Sequence, residues 1–308
     1  MKKLVLFAAN GFLGESVIDY VSKYRKDYTV TAISRKPMKA LPEGVTNRLW
    51  DGKSKGAWAN ELEGADLVVN LAGKSVNCRY TKKNKAAIYA SRLDTTRVIG
   101  EAIQDCIQKP TCWINSASAT IYAHSLQAPN SEENGVIGSG FSVNVCRAWE
   151  KEFGAFRNAS TKQILLRSTI ILGQHGGVYP VLKRLARFGL GGTMGKGNQL
   201  ISWMHVRDFC RALFFVAEKE HPSKIYNFGS PNPVTNQHFQ KALRNSLAIK
   251  WFMNQPVWML KLGAFLMGTE TELILKSRNV LPKNLESESF QFDFQSIEDC
   301  LSDLNKHA

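Results

Sequence analysis

The sequence predicts an α/β fold in which a parallel sheet is covered by helices on both faces. Three observations support this prediction. Strand-like and helix-like segments alternate over the first 120 residues, the strand-like segments are continuous apolar runs, and the helix-like segments carry apolar residues at helical spacing. Because crossovers between parallel strands are right-handed, a doubly wound sheet is the simplest topology.

The predicted elements follow these two patterns in chain order. Strands are expected at residues 3–8, 28–33, 66–71, 112–115 and 163–172, and helices at 12–24, 84–107, 140–156 and 237–247. Thr235 and Asn236 resemble the cap of the last of these helices. The apolar segment 258–267 contains Lys261 and is too short to cross a membrane, so we expect a helix in a domain core or over a pocket.

The turn after the first strand contains two glycines at an informative spacing. Gly11 and Gly14 are spaced as the second and third glycines of Gly-x-x-Gly-x-x-Gly, and Ala8 stands where the first would be. Such glycines permit a tight bend and let a pyrophosphate approach the helix N-terminus, where N–H groups and the helix dipole favour an anion. The pattern predicts a Rossmann-type domain, with cofactor contacts from Asn10, Gly11, Phe12, Leu13 and Gly14. The alternative is a turn whose glycines serve packing alone.

The residues that end the second strand bear on which dinucleotide is bound. An acidic residue at this place would hydrogen-bond the ribose 2′-hydroxyl of NAD, whereas an arginine can pair with the 2′-phosphate of NADP. Ser34 and Arg35 stand there, followed by Lys36. We therefore expect NADP rather than NAD, with Ser34 and Arg35 among its ligands. The alternative is a solvated Arg-Lys pair at the end of a strand.

The sequence pattern changes after Leu172. Residues 173–197 are rich in glycine, which predicts a flexible loop or a wall of a ligand site. We expect an NADP-binding domain at residues 1–172, to which residues 200–230 return. A smaller mixed α/β substrate domain is expected at residues 173–199 and 231–308.

The net charge and the cysteine content limit which classes of partner and which cellular compartment are expected. The formal net charge is +14, which indicates either a basic surface that aids solubility or an anionic partner. The chain has no basic tail and no nucleic-acid-binding motif, so neither a nucleic acid nor a membrane is expected as a partner. Its six cysteines are scattered without metal-site spacing, which predicts a reducing, cytoplasmic location and no metal centre. The apolar N-terminal run is too short for a signal peptide.

Further motifs extend over nearly the whole chain in one order. They are Asn70-Leu71-Ala72-Gly73, Ser91-Arg92-Leu93-Asp94-Thr95-Thr96, Ser116-Ala117-Ser118-Ala119-Thr120-Ile121-Tyr122, Trp149-Glu150, Leu166-Arg167-Ser168, Gly189-Leu190-Gly191-Gly192, Ser202-Trp203-Met204-His205-Val206-Arg207-Asp208, Pro231-Asn232-Pro233-Val234-Thr235-Asn236 and Val280-Leu281-Pro282-Lys283. With these motifs the chain resembles the extended short-chain dehydrogenases/reductases. More narrowly, it resembles their atypical epimerase-family branch (NAD-dependent epimerase/dehydratase-like), which has a C-terminal domain of unknown function.

The resemblance implies roles for residues at the ends of two central strands. Ala72 and Gly73 would lie beside the adenine-side ribose and the pyrophosphate, where small residues permit close contact, and Leu71 would also contact the cofactor. Ser116 would also contact the cofactor. Ser118 matches the catalytic serine or threonine that hydrogen-bonds a substrate hydroxyl or carbonyl.

The chain departs from the superfamily at its Tyr-x-x-x-Lys pair. If Glu150 marks the register, Ser142 stands at the tyrosine position and Cys146 at the lysine position. The lysine normally lowers the pKa of the tyrosine for proton exchange near neutral pH. Tyr122 or a bound water is therefore expected to handle the proton.

Other side chains carry two open interpretations each. His124 is either a titrating group or a solvated loop histidine, and Cys146 is either a reactive thiol or a buried inert one. Arg92 would suit an anionic substrate group or a structural ion pair. Site roles compete with structural roles for Trp149 with Glu150, for His205 with Asp208, and for Lys183 with Arg184 and Arg187.

The sequence thus predicts an NADP-dependent oxidoreductase or a sugar-nucleotide epimerase-like enzyme that acts on a carbon bearing a hydroxyl or carbonyl. The substrate would be a small molecule, nucleotide-linked or anionic, and the protein a monomer or homodimer. The alternative is a catalytically inactive dinucleotide-binding protein that serves as a redox sensor or regulator.

Overall fold

A seven-stranded parallel sheet forms the centre of the molecule. The computed structural model describes residues 1–222, 224–266, 268 and 276–306. The strands of the sheet are β1 (Lys2–Phe7), β2 (Tyr28–Ser34), β3 (Val45–Leu49), β4 (Leu67–Asn70), β5 (Cys112–Ser118), β6 (Lys162–Ser168) and β11 (Ile225–Phe228). Short strands outside it are β7 (Ile170–Gly173), β8 (Gly176–Gly177), β9 (Leu200–Ile201), β10 (Trp203–His205) and β12 (Val234–Thr235).

Helices cover both faces of the sheet, which confirms the predicted α/β class. They are α1 (Phe12–Tyr24), α2 (Lys82–Asp105), α3 (Phe141–Gly154), α4 (Tyr179–Leu185), α5 (Val206–Glu218), α6 (Asn236–Ser246), α7 (Val257–Leu266), α8 (Lys283–Ser287) and α9 (Ile297–Lys306). Side chains of β1 alternate between two cores. Leu4 and Leu6 pack in the core under α1 and α5, whereas Val5 and Phe7 pack in the core under α2 and α3.

The strand order creates a crevice at one edge of the sheet. The order is β11-β6-β5-β4-β1-β2-β3. The chain runs outward from β1 to β3, returns to β4 beside β1, and then runs outward the other way. The loops after β1 and β4 therefore diverge at the carboxyl ends of adjacent strands, where ligands bind in doubly wound folds.

A smaller core lies between α4, α6 and α9. Tyr179, Trp203, Phe239 and Leu301 are among its buried side chains. The predicted cap of α6 is confirmed, because the Thr235 hydroxyl accepts a hydrogen bond from the amide of His238 at 3.2 Å.

One strand prediction was wrong, and the edge strand β3 was not predicted. The single strand expected at 163–172 is divided at Thr169, whose amide and hydroxyl both donate to the carbonyl of Phe228. Before this residue β6 belongs to the main sheet, and after it β7 pairs with β10 in a separate sheet. The sequence analysis also missed β3, because Thr46, Arg48 and Leu49 of this edge strand are exposed and give no apolar run.

The glycine-rich segment 173–197 is not the flexible loop that was predicted as one alternative. It contains β8, α4 and a π-helical turn, Ala186–Leu190, in which Gly189 has a φ of 77°. Tyr179 and Ala186 anchor this segment in the smaller core, so it is held by ordinary packing. Of the predicted helix 258–267, Met267 lies outside the described residues.

His205 and Asp208 have structural roles at the start of α5. The Nδ1 atom of His205 accepts from the amide of Arg207 at 3.0 Å, and the ring stacks on Phe294 with 3.8 Å between centroids. Asp208 accepts from the amides of Asp293 and Phe294 at 3.0 and 2.9 Å. Burial lowers the pKa of His205 from 6.5 to about 4. The folded protein therefore holds a neutral imidazole that caps the helix.

This burial predicts a loss of stability in mild acid. The unfolded chain takes up a proton at His205 below pH 6.5, whereas the folded chain takes it up only near pH 4. The free energy of unfolding should fall by about 1–3 kcal/mol across that interval from this residue alone. His205→Asn retains a capping side chain that does not titrate, so urea unfolding at pH 7 and pH 4.5 should differ less than in the wild type. The surface substitution His175→Asn is the control, and an equal pH dependence in all three proteins would contradict the assignment.

Candidate functional site

The turn after β1 has the backbone of a glycine-rich bend although its first position is alanine. Ala8 has a φ of 58°, in the left-handed region that glycine adopts at no cost. Its carbonyl accepts from the amide of Gly11 at 3.0 Å, which closes the bend immediately before α1. The missing first glycine therefore changes the residue but not the course of the chain.

Gly14 is the position where this turn has no room for a side chain. A Cβ atom there would lie 2.6 Å from the carbonyl oxygen of Ala8 and 2.6 Å from Cα of Ala9. The first turn of α1 thus presses directly on the end of β1. Gly11 caps α1 without a side-chain hydrogen bond, which leaves the amides of Phe12 and Leu13 facing the crevice without a partner among the described residues. Such amides can bind the oxygens of a phosphate.

Phe12 connects this turn to the segment after β7. Cβ atoms at Gly173 and Gly176 would each lie 2.5 Å from atoms of its ring. These two glycines therefore form a recess that the aromatic ring fills. These two positions lack side chains because the Phe12 ring occupies the space that side chains would need.

The end of β2 separates the two residues predicted to bind a 2′-phosphate. Ser34 is buried, and its hydroxyl donates to the carbonyl of Lys36 at 2.7 Å and accepts from Nδ2 of Asn47 at 2.9 Å. Arg35 is exposed and forms no ion pair within the described chain. Ser34 therefore shapes the turn, while the Arg35 guanidinium remains available to an anion.

Asn70 fixes the loop after β4. It is fully buried, with its Oδ1 accepting from the amide of Ala72 at 3.0 Å and its Nδ2 donating to Oδ1 of Asn115 at 2.7 Å. Leu71 donates its amide to the carbonyl of Phe7 in β1. The loop that carries Leu71, Ala72 and Gly73 is thereby tied to the neighbouring strands at the crevice.

Ser116 and Ser118 lie at the carboxyl end of β5, beside that loop. Ser116 is buried, whereas Ser118 is half-buried. The Ser118 hydroxyl donates to Oγ1 of Thr120 at 3.0 Å and accepts from the amide of Thr120 at 3.2 Å. These bonds hold the hydroxyl at the edge of the sheet, where the sequence placed a substrate contact.

Tyr122 has an environment that argues against its predicted role as a proton donor. Only 1% of its surface is exposed. Its hydroxyl donates to Oδ1 of Asn227 at 3.0 Å and accepts from Nη1 of Arg167 at 2.7 Å, and burial raises its pKa. Arg167 is in turn paired with Glu150 at 2.8 Å. Tyr122 and Glu150 thus belong to a closed buried network, in which a phenol does not exchange protons with a substrate.

Cys146 and His124 are also occupied. Burial raises the pKa of the Cys146 thiol to about 12, so the thiolate required for nucleophilic chemistry is not populated near neutral pH. His124 accepts from the amide of Ser277 through Nδ1 at 2.9 Å. The structure therefore favours the inert interpretation of Cys146 and a structural contact for His124.

A second phenol, which was not predicted, lies in the loop after β4 and contacts the start of α3. The hydroxyl of Tyr80 is 3.3 Å from Oγ of Ser142 in α3. Its ring packs edge-to-face on Phe141 with 4.7 Å between centroids, and the residue is half-buried. Tyr80 contacts Ser142, which lies 62 residues later in the chain, so the residues around Tyr80 alone could not indicate this contact.

Arg92 of α2 lies beside Tyr80 and Cys146. Its guanidinium is 5.1 Å from the ring centroid of Trp149, and a Cβ at Gly73 would lie 3.4 Å from its Cζ. It donates to the carbonyls of Lys74 and Ile88 and has no carboxylate partner in the described part of the chain. Burial lowers the pKa of Arg92, and electrostatic interactions with Cys146 and Tyr80 act in the opposite direction. A cation without a counterion therefore adjoins a phenol at the crevice.

Comparisons with known proteins agree with this geometry. Residues 8–229 match the sequence model of the NAD dependent epimerase/dehydratase family, and residues 255–304 match that of a domain of unknown function, DUF1731. The epimerase family protein YfhF of Bacillus subtilis is 29% identical over 305 residues, which cover 98% of this chain and 97% of the relative. The epimerase family protein SSP1921 of Staphylococcus saprophyticus is 28% identical, over 99% of both chains.

Solved structures share the fold over almost the whole chain. The human epimerase family protein SDR39U1 (isoform 2), solved with NADPH, is 25% identical with a TM-score of 0.87, over 99% of this chain and 100% of that one. A nucleoside-diphosphate sugar epimerase from Corynebacterium glutamicum is 24% identical with a TM-score of 0.79, over 99% of this chain and 58% of that one. The second likeness concerns the fold alone.

The close approach at Gly14 predicts a specific cost for adding one methyl group. Gly14→Ala places a carbon against backbone atoms that cannot rotate away, so we expect a loss of about 1–3 kcal/mol in the free energy of unfolding. Gly154→Ala is the matched control, because no atom lies within 4 Å of a Cβ at that helical position. It should leave stability unchanged or raise it by about 0.5–1 kcal/mol. Chemical denaturation of both variants decides, and equal stabilities would disprove the contact.

Proposed function

Because the chain belongs to the NAD dependent epimerase/dehydratase family, we propose that it is an oxidoreductase or epimerase-like enzyme that uses NADP(H) to act on a carbon bearing a hydroxyl or carbonyl. One observation carries the proposal. The bend at Ala8 and the contact at Gly14 press α1 against β1, so that backbone amides without partners face the crevice. This arrangement has the shape and polarity that a dinucleotide pyrophosphate requires.

The residues around the crevice fit the dinucleotide. The turn from Asn10 to Gly14 would hold the pyrophosphate through its amides. Ala72 and Gly73, at the end of β4, leave room beside it, with Leu71 and Ser116 completing the walls. The exposed Arg35 would pair with the 2′-phosphate that distinguishes NADP from NAD.

The bound dinucleotide supplies or accepts a hydride, and the side chains of this chain manage the proton. Ser118 would orient the substrate oxygen by a hydrogen bond. Tyr80 would exchange the proton with that oxygen, since Tyr122 is held in a closed network. The Arg92 cation, which interacts electrostatically with Tyr80, would hold a positive charge beside this proton transfer.

A second candidate function is binding without turnover, as a redox sensor or regulator. Ser142 and Cys146 favour it, because neither side chain can perform the proton chemistry of a tyrosine–lysine pair and the pKa of Cys146 is raised to about 12. Both functions require cofactor binding. Calorimetry of ligand-stripped protein with NADPH and NADH tests this shared requirement, and the absence of binding by either would overturn both.

The role of Arg35 predicts a change of cofactor preference on charge reversal. Arg35→Asp removes the cation and adds a repulsive carboxylate beside a 2′-phosphate, so NADPH affinity should fall about 10- to 100-fold while NADH affinity is retained. Isothermal titration measures both constants. The exposed Lys53→Glu variant controls for the change in net charge, and an unaltered ratio of the two affinities in Arg35→Asp would refute the assignment.

The proton pathway predicts different effects for neighbouring tyrosines. Tyr80→Phe and Ser118→Ala should each lower the rate at which small carbonyl compounds are reduced by about 100-fold or more. The affinity for NADPH should stay within about twofold of the wild type. Tyr89→Phe is the control, because its ring also faces Phe141, at 5.8 Å. Retained turnover in Tyr80→Phe would exclude Tyr80 as the donor without affecting the cofactor assignment.

A further inference from the structure

Helix α7 exposes an apolar surface that ordinary globular packing would bury. Its sequence from Val257 to Leu266 contains one charged residue, Lys261. Leu260 and Ala264 are buried, whereas Trp258 is 66% exposed and Phe265 65% exposed. A helix that is apolar on most sides normally lies in a core or against lipid. The exposed sides of α7 therefore form an apolar face that none of the described residues covers.

Neighbouring segments enlarge this surface and hold it in place. The amide of Met253 donates to the carbonyl of Gly189 at 2.8 Å, and the Trp251 ring lies against the Gly189 backbone. Gln255 is fixed by hydrogen bonds to Leu190 and Thr193. We call the resulting set of exposed side chains the apolar surface; its members are Phe188, Trp251, Phe252, Met253, Val257, Trp258, Leu262 and Phe265.

The chain segments that build the apolar surface carry charge of a single sign. The sequence contains no Asp or Glu between Glu152 and Asp208, and none between Glu220 and Glu270. Four exposed cations lie in or next to the segments that build the surface and form no ion pair among the described residues: Arg184, Arg187, Lys250 and Lys261. An anionic partner would meet them without repulsion.

These features distinguish between possible occupants. A second copy of the chain would bring the same cations against each other with no carboxylates to offset them. A nucleic acid would satisfy the cations but would leave Val257 and Leu262 facing a polar backbone. A bilayer with anionic headgroups satisfies both, because aromatic side chains settle at the headgroup level and cations interact with the charged lipid surface.

We propose that the apolar surface docks the protein peripherally on membranes that contain anionic phospholipids. None of the helices in the described ranges is long and apolar enough to span a bilayer, so the contact would be interfacial. This proposal differs from the sequence-based expectation that no membrane is a partner. Phe265 of the apolar surface contacts Arg79 in the loop after β4, with 4.4 Å between the guanidinium and the ring centroid, but membrane binding is measured without turnover and is therefore tested separately from the proposed enzymatic function.

Vesicle binding by the full-length chain tests the proposal. Purified protein is sedimented with one of two kinds of vesicle. Neutral vesicles contain phosphatidylcholine alone, and anionic vesicles contain about 30% phosphatidylglycerol, which makes their surface strongly negative. We expect binding to the anionic vesicles that weakens with added salt, and at least tenfold weaker binding to neutral ones. No binding to anionic vesicles, or equal binding to both kinds, would overturn the proposal.

Intrinsic fluorescence provides a readout that needs no substitution. Trp251 and Trp258 are exposed, whereas the other five tryptophans are at most 7% exposed: Trp50, Trp58, Trp113, Trp149 and Trp203. Brominated lipids in the anionic vesicles should therefore quench the two tryptophans of the apolar surface. Binding without quenching would place the membrane contact elsewhere and refute the proposal.

Paired variants separate the apolar and charged contributions. Trp258→Ser with Leu262→Ser should lower the partition coefficient at least tenfold, whereas Ile107→Ser with Val136→Ser, which are also exposed, should not. Lys250→Glu with Lys261→Glu should lower the partition coefficient at least tenfold, because lysines close to an anionic lipid surface contribute to binding. Lys26→Glu with Lys53→Glu, which changes the net charge equally, should lower the partition coefficient less. A dimer in sedimentation velocity that is lost only in the Trp258→Ser/Leu262→Ser pair would identify a second copy as the occupant and overturn the proposal.

Discussion

The absence of a side chain at Gly14 is the constraint on which the candidate site depends. With 2.6 Å between a would-be Cβ and the backbone of Ala8 and Ala9, the first turn of α1 can lie directly on the end of β1. This contact sets the direction of the helix and presents its first amides to the crevice. Ala8 adopts a left-handed conformation with a φ of 58° to allow it, so stability is given up locally to keep the shape of the bend.

The sequence identified features that arise from local patterns and missed those that depend on distant contacts. The turn at Gly11 and Gly14, the class of the sheet and the cap at Thr235 follow from neighbouring residues, and the structure contains all three. The edge strand β3 has little apolar content, so its pairing with β2 could not be inferred. Tyr80 reaches the site only because α3 brings Ser142 to it, 62 residues later in the chain.

Burial decided between the interpretations that the sequence left open for titrating groups. Tyr122 and Cys146 are of suitable residue types, but both are nearly completely buried and burial raises the pKa of each, which argues against a role in proton exchange. Tyr80 and Arg92 remain partly accessible, and the arginine has no carboxylate partner among the described residues. Solvent accessibility, which a single sequence does not report, thus distinguishes the nearly inaccessible Tyr122 and Cys146 from the half-buried Tyr80 and Arg92.

The position of the Phe12 ring against Gly173 and Gly176 has a mechanical consequence. Phe12 is the first residue of the helix that borders the candidate site, and its ring fills the recess between Gly173 and Gly176 on the path into the smaller core. A rigid wedge shared by two parts of a molecule transmits displacement in either direction. A ligand that displaces the first turn of α1 would therefore also displace the ring that is seated against Gly173, in the strand that leads to the smaller core.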